Sequence, residues 1–449
     1  MALANFDRND FFKNIDAIVS TSHPITSVEM LKGRDKPLER LQMSLNMTGR
    51  HAFIIGDRGV GKSSLAQTTA YLLQESGSEP IIVSCDPTST LVGIANTVMT
   101  IAASNIKNVE YIQKLSVKLP WLISYEVAQE NKTDNRPTLP PITDTLSATI
   151  AINTLSDWHS NVPVIVIDEF DQVPEKERQS FGIFLKQLGD KGTKVKLIFT
   201  GIGQSLNDLL DGHLSSHRQL HQEVLENLSW DARYDIIDSA MKQFGLTIDE
   251  DVKFKISGIS DGFPNYIHLI CEKILCVAFY KENVIKHIDF EIFSEALNDA
   301  VESVTETLRV SYDKATKFRP EHMHHILWAV ADSADLQRNY SDIRESYHGV
   351  INSIDMSPLP DEKIRREFNK LLKDDHGAII KRALSGRQGW FEFTENILRG
   401  FVRMHAERFG VTLDFKRNFT ANTPTAKAST KHNYYRPSGL TPVERAASK

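Results

Sequence analysis

The chain has 449 residues, 41% of them hydrophobic and 24% charged, with a formal net charge of −6. That is ordinary for a globular protein and long enough for two or three domains. No apolar run approaches the ~20 residues that span a bilayer. The N-terminus carries acids early and lacks the apolar stretch of a signal peptide. Cys85, Cys271 and Cys276 have no metal-ligand spacing, so they read as thiols of a reducing cytoplasm.

In chain order, residues 1–30 read as an N-terminal helical arm. Leu31-Lys32-Gly33-Arg34-Asp35 then leads into a helix ending near Gly49. His51-Ala52-Phe53-Ile54-Ile55 has the β-branched, apolar character of a buried parallel strand. It runs into Gly56-Asp57-Arg58-Gly59-Val60-Gly61-Lys62-Ser63, and a helical pattern follows from Ser64 to about Glu75. The G-x-x-x-x-G-K-S spacing in a strand–loop–helix frame predicts a phosphate-binding loop. Its backbone N–H groups and the helix N-terminus would cradle phosphates, Lys62 would reach the β/γ oxygens, and the Ser63 hydroxyl would bind Mg²⁺.

Residues 80–85 form a second predicted strand and 91–104 a helix. The stretch from about 105 to 145, with a Pro-rich polar loop at 131–141, is out of keeping with a compact α/β core and reads as an insertion. A helix over about 144–159 precedes Val162-Pro163-Val164-Ile165-Val166-Ile167, a continuous apolar run ending in Asp168-Glu169-Phe170-Asp171. At a strand's carboxyl end Asp168 would hold Mg²⁺ and Glu169 would polarise an attacking water. Asp171 has no assigned role. A helix (175–189) and a strand (195–200) follow, so strands alternate with helices, as in a parallel sheet covered on both faces. Together these elements predict an ATP-type site equipped for hydrolysis.

From Ser229 the pattern is helical (231–244, 249–258, 264–280, 289–308), with a turn at Gly262-Phe263-Pro264. Three or four helices over 321–407 end in an aromatic hairpin, 386–393, the outline of a winged helix. Residues 421–449 are Thr-, Pro-, Lys- and Ser-rich and read as a disordered basic tail. From Val310 onward there are 23 Lys+Arg against 17 Asp+Glu, so residues 1–309 carry −12. The basic excess includes Lys381, Arg382, Arg387, Arg399, Arg403, Arg408, Lys416 and Arg417. It fits either a nucleic-acid-facing end or a solvated surface.

In this order the motifs resemble the AAA+ ATPases of the origin-recognition and replication-initiator type, close to the STAND signalling ATPases, over roughly residues 25–405. The resemblance implies an α/β P-loop core (31–228), a helical lid (229–308) and a winged helix (309–420). It places Thr200 as a polar sensor beside the acidic pair. Arg218, in Asp211-Gly212-His213-Leu214-Ser215-Ser216-His217-Arg218, becomes a finger offered to a neighbour's nucleotide, against the alternative of a solvated or ion-paired arginine. Gly33-Arg34 would lie near the adenine, and Gly56 to Ser64 with Pro264 would bind the nucleotide. Many such proteins carry an arginine on the lid helix. Here that helix opens with Gly262-Phe263-Pro264, the Gly-x-Pro pattern of STAND proteins, which favours a slow switch over a fast motor.

The implied activity is ATP hydrolysis with Mg²⁺ by an oligomer acting on DNA or a DNA-bound partner, in replication, transposition or anti-phage defence. An effector protein would supply the output. The rival is a signalling scaffold whose winged helix binds protein. Lys381, Arg382, Arg387 and Gln388 at the wing are the residues a groove-reading wing would present.

Overall fold

The computed structural model describes residues 3, 6–19, 23–74, 78–104, 142–211, 218–318, 320–383 and 388–416. The expected insertion (all but its last residues), Arg387 and the tail from 417 lie outside them. After helix α1 (Arg8–Ile18), helix α2 (Asp35–Leu45) leads into strand β1 (His51–Ile55) and helix α3 (Lys62–Leu73). Strand β2 (Ile81–Ser84), helices α4 (Leu91–Ser104) and α5 (Thr145–Trp158) and strand β3 (Val164–Asp168) come next. Helix α6 (Glu175–Asp190), strand β4 (Lys196–Gly201), helix α7 (Gly203–Asp211) and strand β5 (Leu220–Val224) complete the first layer system.

The sheet order is β2-β3-β4-β1-β5, and every pairing is parallel. Side chains alternate across it as a pleated strand requires. Phe53, Ile165, Ile167, Leu197 and Phe199 belong to the apolar cluster on one face, Ala52, Ile54, Val164, Val166 and Ile198 to that on the other. Phe53, Phe170, Phe181 and Phe199 are fully buried, each stabilising the core by about 1.5–3 kcal/mol. The order puts β4 between β1 and β3, so Thr200 stands between the glycine loop and the acidic pair. The edge strand β5 has only five residues between segments with turn character, and its alternation is too short to stand out in the sequence.

Helices α8 (Trp230–Gln243), α9 (Glu250–Ile259), α10 (Pro264–Tyr280) and α11 (Phe290–Ser303) follow, with a two-strand pair, β6 (Thr247–Ile248) and β7 (His287–Ile288). Pro264 at the first position of α10 suits a turn whose N–H groups have no intrahelical partner. Then come helices α12 (Glu306–Thr316) and α13 (Pro320–Ala331), strand β8 (Arg338–Asn339), helices α14 (Tyr340–Ser353) and α15 (Asp361–Lys370), strands β9 (Ile380–Arg382) and β10 (Trp390–Phe393), and helix α16 (Ile397–Arg408). The three strands form an antiparallel sheet ordered β8-β10-β9. The hairpin expected to end this region is followed by α16, and β8 is an additional strand.

Buried apolar residues from Leu228 to Phe415 form one contiguous cluster, joined by Phe11 and Ile15. The N-terminal arm therefore packs on the helical region, with Phe11 stacked on Phe279 at 3.9 Å. Cys85 and Cys271 are buried, Cys276 partly so. Among the described residues no helix is long and apolar enough to cross a membrane.

Candidate functional site

The loop between β1 and α3 turns through left-handed backbone at Gly59 (φ +78°) and Gly61 (φ +97°), which glycine adopts without strain. The first turn of α3 has no side-chain cap, so its N–H groups face outward as an anion site. Lys62 folds along the loop, its Nζ donating to the carbonyls of Gly56 and Asp57 at 2.9 Å each. Burial lowers its pKa, and Asp171, Asp57, Asp168 and Glu169 oppose that.

Asp168, at the end of β3, is the hub of the facing wall. Its Oδ1 accepts from the Ser63 hydroxyl at 2.9 Å, from the Thr200 hydroxyl, and from the Glu169 N–H at 3.1 Å. The Glu169 N–H also donates to Thr200 Oγ1 at 3.0 Å. Glu169 itself sits at φ +56°, a strained position for a residue with a Cβ, and such strain collects at functional sites. Phosphate loop, acidic pair and strand-end threonine thus meet in three dimensions although spread over more than a hundred residues.

These groups line a cavity of about 1060 Å³, together with Asp57, Arg58, Gly59, Gly61, Ser64 and Asp171. The N-terminal segment closes one flank: the Ile25 N–H donates to Ser64 Oγ at 3.1 Å, and Thr68 Oγ1 donates to the Ile25 carbonyl at 3.0 Å. Pro264, Asn265 and His268 of α10 form another wall. Pro264 Cγ would lie 3.7 Å from a Cβ added to Gly61. The roof comes from the C-terminal region through Lys381, Glu392, Thr394, Glu395, Asn396 and Ile397. Asn396 Nδ2 donates to Asp57 Oδ2 at 2.7 Å, and a Cβ added to Gly59 would meet Ile397 Cδ1 at 2.6 Å. These roof residues lie more than three hundred positions from the loop they cover, and no local motif marks them.

Four expected residues, Gly56, Val60, Arg34 and Arg218, do not line the cavity. Arg34 is 6% exposed, does not line the cavity, and donates from Nη2 to the Val60 carbonyl at 2.9 Å, so it braces the loop from behind. Burial lowers its pKa to about 10, with Glu226 opposing. Arg218 is exposed just before β5 and does not line the cavity of its own chain. Residues 212–217 before it lie outside the described residues. Val60 is buried beneath the loop.

Part of the expected basic end is internal. Arg399 grips Asp261 with two bonds of 2.6 Å, and Arg403 Nη1 adds a third at 2.9 Å. Their side chains are 4% and 2% exposed. This node ties α16 to the turn that opens α10. Arg408 pairs with Glu302 at 2.7 Å, and Lys381 faces the cavity. The sequence could not show this, because an arginine committed to an internal carboxylate counts in the charge balance like a surface one.

The AAA-domain family profile matches residues 45–210. No curated protein matches the chain. In fold the chain is similar to a Walker-type ATPase of Pyrococcus abyssi, at 15% identity over 85% of this chain and 98% of that one, with a TM-score of 0.51. Looser likenesses are to Cdc6p of Pyrobaculum aerophilum (15% identity, 87% and 98% covered, TM-score 0.42) and the ORC2 protein of Aeropyrum pernix (13%, 87% and 98%, 0.45). The matched stretch, residues 45–210, is the part that holds the glycine loop after β1 and the acidic pair at the end of β3, on the five-stranded parallel sheet.

Proposed function

We propose that the protein is an ATP-driven conformational switch that binds ATP with Mg²⁺ in this cavity and hydrolyses it. The observation that carries the reading is the web joining Ser63, Asp168, Thr200 and Glu169 opposite Lys62. The phosphates would lie on the N–H groups of the loop and α3, with Lys62 released from its two carbonyls to meet the β/γ oxygens. Ser63 and Asp168 offer a hydroxyl and a carboxylate oxygen 2.9 Å apart, hard donors that suit Mg²⁺. The ion's charge would neutralise that developing on the γ-phosphate. Thr200 positions the Glu169 backbone and lines the cavity; Glu169 orients the attacking water. Arg218, outside its own chain's cavity, would serve a neighbouring subunit in a homo-oligomer.

The test is Glu169→Gln. It should keep ATP affinity and lower turnover by ~10²–10⁴-fold, because an amide preserves shape but not the basic carboxylate. Turnover at the parental rate would remove Glu169 from the mechanism.

For the output, one reading is action on DNA or a DNA-bound partner through the C-terminal unit, read as a winged helix from its order α13-β8-α14-α15-β9-β10. The roles would be of the replication, transposition or anti-phage kind, with an effector protein downstream. A second reading is a signalling scaffold whose C-terminal unit engages protein. It is favoured by the burial of Arg399 and Arg403 and by the Asn396–Asp57 contact, which turn that unit toward the nucleotide. Duplex-DNA binding with a steep salt dependence supports the first, and its absence in ATP leaves the second.

A further inference from the structure

The cavity has an electrostatic deficit. Six carboxylates line it, those of Asp57, Asp168, Glu169, Asp171, Glu392 and Glu395. The lysine and arginine side chains facing them are Arg58, Lys62 and Lys381. A triphosphate is a polyanion, and such a ligand is held where cations or aimed dipoles outweigh repulsion. The lid wall brings no fixed positive charge: its lining residues are Pro264, Asn265 and His268. His268 is 3% exposed, and burial lowers its pKa to about 4, so it is neutral at pH 7.

Lys381 differs from the other two cations in where it comes from and how it is held. It sits on β9, opposite Glu392 of β10 in the strand register. Its ammonium lies 3.4 Å from Glu392 Oε1 and donates to the Thr394 carbonyl at 3.3 Å. The side chain is 45% exposed, so these contacts are weak and screened. Glu392 would not be stranded if they broke, because Gln337 Nε2 donates to its other oxygen at 2.8 Å. A flexible four-carbon stem carries the charge. The platform beneath is fixed: Asn396 is bonded to Asp57, and the Tyr266 hydroxyl donates to the Ile397 carbonyl at 3.0 Å.

We propose that Lys381 is a nucleotide-binding residue supplied by the C-terminal unit, leaving Glu392 to bind the terminal phosphate of ATP within the same chain. It takes the place of a cation on the lid and makes the closure of the C-terminal unit depend on which nucleotide is bound. The inference rests on the nucleotide-site reading above. It assigns Lys381 to the nucleotide and not to a duplex.

The experiment titrates full-length protein with ATP, ADP and AMP in Mg²⁺, comparing the parent with Lys381→Gln and Lys381→Arg. Losing a charge-assisted contact to phosphate should weaken ATP by roughly 10–100-fold in Lys381→Gln. ADP and AMP affinities should stay unchanged, and Lys381→Arg should recover most of the ATP affinity. Equal weakening of ATP and AMP would mean a disturbed platform and overturn the proposal. Unchanged ATP affinity would overturn it too, as would unchanged ATP affinity with loss of duplex-DNA binding. A parent that binds no ATP would refute the site itself, a separate failure.

Discussion

Asp168 and Asp261 are buried alike, each 6% exposed, yet their surroundings are opposite. Asp168 is bonded to two hydroxyls and a backbone N–H, none carrying a formal charge. Asp261 is bonded to Arg399 and Arg403, and Arg233 stands near enough to act on it. Burial pushes the Asp261 carboxyl upward, but Arg403 and Arg399 outweigh it and hold the group below the ordinary carboxylate range. Burial in turn pulls Arg403 down to about 9 against the attraction of Asp261. A carboxylate held by neutral donors at the cavity wall has no cationic partner of its own among the described residues. One enclosed by guanidinium groups has spent its charge inside the protein. The first node faces the cavity, and the second fastens α16 to the turn that opens α10.

Exchanging each carboxylate for its amide should separate these roles. Asp168→Asn should lower Mg²⁺-dependent turnover by ~10³-fold or more, consistent with the several kcal/mol a metal's charge contributes. Its folding stability should change by about 1 kcal/mol, since the hydroxyl partners still find an acceptor. Turnover near the parental level, or a large loss of stability, would break the comparison. Asp261→Asn should destabilise the protein by about 3–5 kcal/mol in denaturant unfolding, because it leaves buried guanidinium charge without its counter-ion. Stability within 1 kcal/mol of the parent would show that backbone carbonyls alone satisfy Arg399 and Arg403.

A smaller effect sharpens the contrast between groups that keep charge and groups that are denied it. Burial lowers His268 to about 4; burial, helped by the Lys196 charge, lowers His51 to about 3. The unfolded chain, with histidines near 6.5, takes up protons first as the medium is acidified. The stability of the neutral buried forms is therefore fully present above about pH 6.5 and is lost as pH falls toward 4 and 3. At one unit below 6.5 each group should cost about 1.4 kcal/mol. Unfolding at pH 7.0 and 5.5 should show this, and His268→Leu should flatten the slope. An unchanged slope in that variant would place the acid sensitivity elsewhere.

The half of the site on the α/β core was legible in the sequence because its chemistry is local. Gly56 to Ser63 sits in a strand–loop–helix frame, and Asp168-Glu169 ends an apolar run, so each motif announces its own element. Thr200 followed from resemblance, and the strand order puts it beside both. The other half was not legible. Asn396, Ile397 and Lys381 gain their meaning only from packing against residues more than three hundred positions away. Arg34 was expected near the adenine from resemblance alone, and nothing local in the sequence shows that its guanidinium bonds to the Val60 carbonyl of the loop. Arg399 and Arg403 looked like part of a basic surface because composition does not register which charges are enclosed.

The central claim is that the cavity between β1, β3, α10 and the C-terminal roof binds ATP through the phosphate loop. Calorimetric titration with ATP and Mg²⁺, comparing the parent with Lys62→Ala, tests it most directly. Saturable binding by the parent and none by the variant at the same concentrations is the result expected. Equal affinity in the two proteins would contradict the claim.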